Sequence, residues 1–408
     1  MHVELHPKYQ GTRHAEQAAE LISACVHCGF CLATCPTYLD SRDERDSPRG
    51  RIYLIKNLLE SGEATNQTHT HLDRCLSCRS CETTCPSGMQ YGALADLGRE
   101  LMEEAAPRPP VSKGLRWLLR NVLTRPKVFG ALLRTGQWLR PIIPPRLKKK
   151  VPIAVPRRPV PEPQHSRKML VLEGCVQSTS TPTTNDAARR VLSALGIDLV
   201  SAPDAGCCGA VNHHLAARND GLDNMRRNID AWWPHFESGA ESVVASASGC
   251  GSMVAQYGEL LANDPDYAEK ARTVSERLRD LGQILSREDL KSLALTPGPQ
   301  RVAVHTPCTL SHGLGQPNLI RELLQRLEFN TVATRDDHLC CGSAGTYALL
   351  QPKISTRLKE AKLSALNIDQ PDVIVTANVG CQLHLGEDAH VPVRHWIELI
   401  DEALVVKG

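Results

Sequence analysis

Residues 25–36 read CVHCGFCLATCP, and residues 75–86 read CLSCRSCETTCP. Cys25, Cys28, Cys31 and Cys35 follow the spacing C-x2-C-x2-C-x3-C-P, and Cys75, Cys78, Cys81 and Cys85 repeat it, with Pro86 after the last. A cubane [4Fe–4S] cluster asks for four thiolates around a compact core. Three closely spaced cysteines wrap one face of it, while the fourth, held off by three residues and turned away at proline, reaches a neighbouring cluster. The spacing therefore predicts crossed ligation. Cys25, Cys28, Cys31 and Cys85 would hold one cluster, and Cys75, Cys78, Cys81 and Cys35 the other. Zinc also takes CxxC pairs, but it does not call for the x2, x2, x3-Pro run twice. Two clusters side by side form a one-electron relay and bind no substrate by themselves. Between the runs lies SPRGR, where Arg49 and Arg51 either raise a cluster's potential or form an ordinary solvated loop.

The whole chain has 408 residues, enough for two to four domains, with a net charge of +2 that names no partner. The N-terminus, MHVELHPKYQGTRHAEQ, has no apolar signal core, and no apolar run reaches the roughly eighteen residues of a spanning helix. A cytoplasmic chain with reduced thiols is the expectation. Sixteen cysteines in that setting point to metal or redox sites, not to a disulfide framework.

Four zones follow: 1–105 with both cysteine runs, a basic Pro-rich helical connector at 106–168 without cysteine, and two zones at 169–290 and 299–403 with four cysteines each. The last two repeat one another. Cys175, Cys207 and Cys208 recur 133 residues later as Cys308, Cys340 and Cys341, and Cys250 recurs 131 residues later as Cys381. MLVLEGC (169–175) matches VAVHTPC (302–308), and SVVASASGC (242–250) matches VIVTANVGC (373–381). Short Val/Ile runs alternate with helical patterns, which predicts two α/β domains with mostly parallel sheets and sites at the carboxyl ends of strands. The fold class expected is α+β multidomain: a helical ferredoxin-like N-terminal domain followed by two α/β CCG domains. Vicinal thiols reach one site only at a sharp turn, which Gly209 and Gly342 would permit. Candidate metal sites are Cys175, Cys207, Cys208, Cys250 and Cys308, Cys340, Cys341, Cys381, holding zinc or an Fe–S centre or switching between thiol and disulfide.

At ACVHCGFC, PRGRIYLIK, HLDRCLSCRSCETTCPSG, NIDAWWP, CCGSAGTYAL and VRHWIEL the chain resembles the glycolate oxidase iron–sulfur subunit family. The resemblance spans nearly the whole sequence. It implies a subunit of a membrane-associated complex that oxidises glycolate to glyoxylate, with FAD-containing subunits doing the hydride chemistry. Heterodisulfide reductase, anaerobic glycerol-3-phosphate dehydrogenase and lactate-utilisation proteins share the CCG domains, so related subunits of those systems are the alternatives. In heterodisulfide reductase a CxxC supplies a fifth thiolate. Here those positions read Cys250-Gly-Ser-Met253 and Cys381-Gln-Leu-His384, so the fifth thiolate is missing in both copies. His384 either completes a metal site or is a surface or capping residue.

No GxGxxG, P-loop or nucleophile elbow is present, and His305, His312, His338 and His395 show no metal spacing. No residue of this chain is expected to be catalytic. It needs a partner that takes two electrons from substrate and passes them on singly, which is flavin work, with a membrane quinone as the acceptor. The connector holds sixteen Arg and Lys against one acidic residue, Glu162. Leu115, Leu118, Leu119, Val122 and Leu123 share one helical face within it. Such a segment either lies on an anionic membrane surface, at the cytoplasmic face of the inner membrane, or packs on the other domains. Nucleic-acid binding lacks the stacking aromatics and a binding fold. KKKVPIAVPRRPVPEPQ (148–164) reads as an extended linker.

Overall fold

The structure is a computed structural model and describes residues 1–144 and 148–405. It is helical around the two cysteine runs and α/β beyond residue 166. The first part packs α1 (Arg13–Ser23), α3 (Pro48–Ser61), α4 (Asn66–Asp73) and α6 (Tyr91–Ala105) around Ile22, Ile55, Leu58, Leu59, Leu94 and Met102, all fully buried. Its local signals are plain. Ser47 caps α3 by accepting from the Gly50 N–H at 2.9 Å, with Pro48 at the first helical position, and Gly62 ends the helix in the left-handed conformation.

The rest contains two four-stranded parallel sheets of the same order. Strands β1 (Arg167–Leu172), β2 (Ile197–Ser201), β3 (Val243–Ala245) and β4 (Leu278–Asp280) lie as β2-β1-β3-β4. Strands β5 (Val302–His305), β6 (Thr331–Val332), β7 (Val373–Thr376) and β8 (Val393–His395) lie as β6-β5-β7-β8. Both sheets are buried on two faces, which is why their strands read as unbroken apolar runs. One face of each looks into a single apolar body common to both repeats. Met169, Val171, Val191 and Leu285 from the first meet Val304, Leu324, Val375 and Trp396 from the second. Helix Pro182–Ala194 of the first repeat packs on the last helix, Trp396–Ala403, and Leu281–Arg287 packs on Leu319–Arg326. Polar contacts stitch the seam: Arg190 pairs with Asp401 at 2.7 Å, and the Ser248 N–H donates to the Ala377 carbonyl at 3.0 Å.

The connector forms a helical hairpin, α7 (Pro110–Leu123) and α8 (Pro126–Leu139), followed by extended chain from residue 152 to 165. Three of its arginines face the protein, while Arg125 and Arg134 are exposed. Arg116 reaches Asp73 at 2.8 Å, Arg108 also pairs with Asp73, and Arg120 meets Asp220 of the first repeat at 3.1 Å. Val111, Trp117, Leu118, Leu132 and Trp138 are left exposed. Among the described residues no helix is long and apolar enough to cross a membrane.

Candidate iron–sulfur centres

Both cysteine runs use the same backbone device. In the first, His27 and Gly29 on either side of Cys28 take left-handed conformations, with φ of 55° and 83°. In the second, Ser77 and Arg79 on either side of Cys78 do the same, with φ of 52° and 61°. Two left-handed residues curl each run so that its first three sulfurs face inward. Cys35 then leads into a short helix, α2 (Pro36–Ser41), with Pro36 at its first position. Cys85 leads into a turn at Pro86.

Two adjacent cysteine-lined voids result, each open to solvent on one side. The first is lined by Cys25, Cys28, Cys31 and Cys85, with Pro48, Arg49, Ile52, Ser87 and Met89. The second is lined by Cys35, Cys75, Cys78 and Cys81, with Thr37, Arg51, Leu76 and Arg79. Cys81 and Tyr91 belong to the wall of both. The chemistry of the donor sets suits iron–sulfur clusters. Each void gathers soft sulfur, and among the described residues no carboxylate lines either one, while arginine lines both.

The polar surroundings differ between the voids. Around the second, the Ser77 N–H donates to Cys75 Sγ at 3.4 Å and the Tyr91 hydroxyl donates to it at 3.7 Å. Thr37 Oγ1 lies 3.4 Å from Cys35 Sγ. Arg51 is fully buried. Its Nε donates to the His71 carbonyl at 2.7 Å, and its Nη2 donates to Thr37 Oγ1 at 3.0 Å. Arg99, also buried, donates to the Cys75 carbonyl at 3.0 Å. Burial by itself raises the Cys75 thiol, but Arg51 and Arg99 outweigh it and hold the group below its ordinary value. The first void has donors as well: burial raises the Cys85 thiol, but the Ser87 hydroxyl and the Met89, Ser87 and Gly88 N–H groups outweigh it and hold the group below its ordinary value. Ser87 Oγ lies 3.2 Å from Cys85 Sγ, and the Cys31 thiol is pushed up to about 11, chiefly by burial. Cys28 is exposed there, between exposed Val26 and Phe30.

Each repeat gathers its four cysteines at the carboxyl ends of its strands. Gly209 and Gly342 take φ of 92° and 87°, and a Cβ on either would strike backbone, at 2.9 Å from the Gly221 carbonyl and 2.7 Å from that of Ser355. In the first repeat, hydrogen bonds from the Cys175 and Cys208 thiols hold Cys207 well below its usual range, and Cys208 also meets Cys250. Asn228 Nδ2 donates to the Cys207 carbonyl at 3.0 Å, and the Tyr257 hydroxyl donates to that of Cys208 at 2.9 Å. In the second, Cys308 Sγ lies 3.8 Å from Cys340 Sγ, and Cys341 meets both Cys340 and Cys381. Cys340 and Cys308 pack with Leu76 and Cys78 of the iron–sulfur region, so the second group adjoins the second void.

The structure places two histidines that spacing left open. His384 is neither exposed nor a cap: it is buried, with Nε2 3.2 Å from Ser355 Oγ. His305, which no spacing rule singled out, lies with Cys341 and Cys381, their ligand atoms within 4.8 Å of one another. The signal that could have found it is its place three residues before Cys308 on a buried strand. His312 bridges Thr83 and the His338 carbonyl, each at 2.9 Å, and His395 caps the last helix.

Comparison with known proteins agrees with this geometry. A family described as a 4Fe-4S dicluster domain matches residues 21–89, and one described as a cysteine-rich domain matches residues 169–255 and 302–386. The glycolate oxidase iron-sulfur subunit of Escherichia coli (strain K12) is 49% identical over 405 residues, covering 99% of both chains. A probable glycolate oxidase iron-sulfur subunit of Bacillus subtilis (strain 168) is 30% identical, covering 93% of both. Lactate utilization protein A of Bacillus velezensis is 25% identical over 57% of this chain and 99% of its own. A [4Fe–4S]-carrying electron-transfer component of an oxidoreductase complex, this chain belongs to the family of glycolate oxidase iron–sulfur subunits.

Proposed function

We propose that this chain is the iron–sulfur subunit of a glycolate oxidase, passing electrons from FAD-containing subunits that oxidise glycolate to glyoxylate toward a membrane quinone. The observation that carries the reading is the pair of adjacent cysteine-lined voids sharing the wall of Pro48, Cys81 and Tyr91, in a chain that aligns end to end with such a subunit. Cys25, Cys28, Cys31 and Cys85 would hold one [4Fe–4S] cluster, and Cys75, Cys78, Cys81 and Cys35 a second. When bound, such clusters accept one electron each, which lets a two-electron flavin partner be emptied in single steps.

The protein's own groups set the direction. Positive charge near the sulfurs favours the reduced state, and the buried Arg51 and Arg99 give the second set more of it. Electrons would arrive at the exposed Cys28 face, where Val26 and Phe30 offer apolar contact to a flavin subunit, and move inward. The exposed apolar residues of the α7–α8 hairpin support peripheral attachment to the cytoplasmic face of the inner membrane.

Co-purification with flavin-containing subunits and substrate-dependent dye reduction test this. Glycolate should reduce the dye faster than lactate or glycerol-3-phosphate, and Phe30→Asp should weaken the complex. A preference for lactate would transfer the subunit to the lactate system. Turnover by iron-free material would end the relay reading.

A further inference from the structure

The two repeats differ at one pair of buried positions. In the second, His305 on β5 stands in register with Thr376 on β7, and His305 Nδ1 hydrogen-bonds to Thr376 Oγ1 at 2.9 Å. In the first, the matching positions are Leu172 on β1 and Ala245 on β3, paired in the same way and buried in an apolar core. The hydrogen bond offsets the cost of burying Nδ1 and the hydroxyl, but it leaves the second imidazole nitrogen to find a partner of its own.

We infer that His305, Cys341 and Cys381, with Cys340 as fourth donor, form a zinc site that only the second repeat possesses. Their placement is that of a built site. His305 ends β5, Cys341 lies in the turn fixed by Gly342, and Cys381 lies in the first turn of helix Val379–Gly386. All are buried. Thr376 Oγ1 engages Nδ1 at 2.9 Å, which leaves Nε2 as the ring nitrogen available to a metal, with the other nitrogen held by a neighbour as is usual for a metal-bound imidazole. Buried thiolates with one imidazole, closed to solvent, form a tetrahedral structural zinc set. The buried Lys362 ammonium nearby offsets thiolate charge. Asn378 Nδ2 donates to Cys381 Sγ at 3.4 Å. His384 takes no part, since its imidazole is engaged with Ser355. Cys340 and Cys308, whose sulfurs lie 3.8 Å apart, both adjoin Cys78, so the site would lie against the iron–sulfur region. The inference does not rest on the electron-transfer reading.

The test uses the full chain, purified anaerobically and incubated with Zn²⁺, with zinc and iron counted and the zinc X-ray absorption edge recorded. About one zinc per chain, with one nitrogen among sulfur neighbours, is expected. The His305→Leu/Thr376→Ala variant, which rebuilds the pair found in the first repeat, should lose at least nine-tenths of that zinc and keep its iron. His384→Leu should keep both. Absence of zinc from the wild-type chain, a sulfur-only shell, or full zinc in the double variant would overturn the site. If the double variant does not fold, the wild-type absorption spectrum alone decides.

Discussion

Arg51 Nη1 lies 4.0 Å from Cys35 Sγ, at the end of a guanidinium that has no path to water. Its charge is shared with Asp46, 3.6 Å away, which also holds His71 at 2.7 Å and Arg74 at 2.9 Å. A fixed cation beside a cluster favours the added electron. With an effective dielectric near 20, removing it should lower the potential of the cluster proposed at Cys35, Cys75, Cys78 and Cys81 by on the order of 100 mV. Arg51→Gln, read by redox titration with EPR, should show that drop in one of two signals, and Arg51→Lys should show much less. Asp46 keeps Arg74 and His71, so the stability cost should be confined to the lost hydrogen bonds to the His71 carbonyl and Thr37, about 1–3 kcal/mol. Two unmoved potentials would assign Arg51 a purely structural role.

Crossed ligation separates cysteines that are neighbours in sequence. Cys35→Ser combined with Cys75→Ser strikes one proposed set and should remove about four irons per chain. Cys31→Ser combined with Cys35→Ser, though confined to a single run, should disturb both clusters. Iron analysis and EPR of the two variants decide, and the opposite result would mean that each run holds its own cluster.

Asp280 caps helix Leu281–Arg287 through Oδ1, which accepts from the Gly282 N–H at 2.8 Å, while its buried Oδ2 has no partner. Burial pushes this carboxyl up to about 7. The folded state then holds a proton that the unfolded chain, with an ordinary carboxyl near 4, releases. Stability from this group is fully present below about pH 4 and is lost as pH rises through about 7. At roughly 1.4 kcal/mol per unit the loss amounts to at most about 4 kcal/mol. Urea midpoints of Asp280→Asn should be flatter than wild type between pH 5 and pH 8. Parallel curves would refute the assignment.

The exposed hairpin gives a membrane prediction that differs from one based on charge. Trp117→Glu, Leu118→Glu and Trp138→Glu should each weaken attachment to anionic vesicles about tenfold or more, since burying one such side chain contributes about 1.5–3 kcal/mol. Arg116→Ala should instead lower the melting temperature, because Arg116 is engaged with Asp73. Unchanged flotation of all three glutamate variants would remove the membrane role.

Much of the molecule was legible because its signals are local or strictly repeated. The offset of 133 residues announced two like α/β units, and RIYLIKNLLE was recognisable inside α3. What escaped depends on partners far along the chain. The connector's charge suggested a basic outer face, yet Arg108, Arg116 and Arg120 find carboxylates in two other regions and the apolar side turns outward. His305 could not be found by spacing, because parallel register, not sequence distance, sets it beside Thr376 and Cys381. His384 has the right spacing and points elsewhere.

The apolar body common to Val171 and Val304 has a consequence for how the molecule can be divided. Neither α/β half possesses a finished interior, so a gene cut near residue 298 would yield two sticky fragments instead of two modules. A single copy made alone would have to meet a second one to cover that face, whereas one polypeptide carrying both is free to place Leu172 in one repeat and His305 in the other.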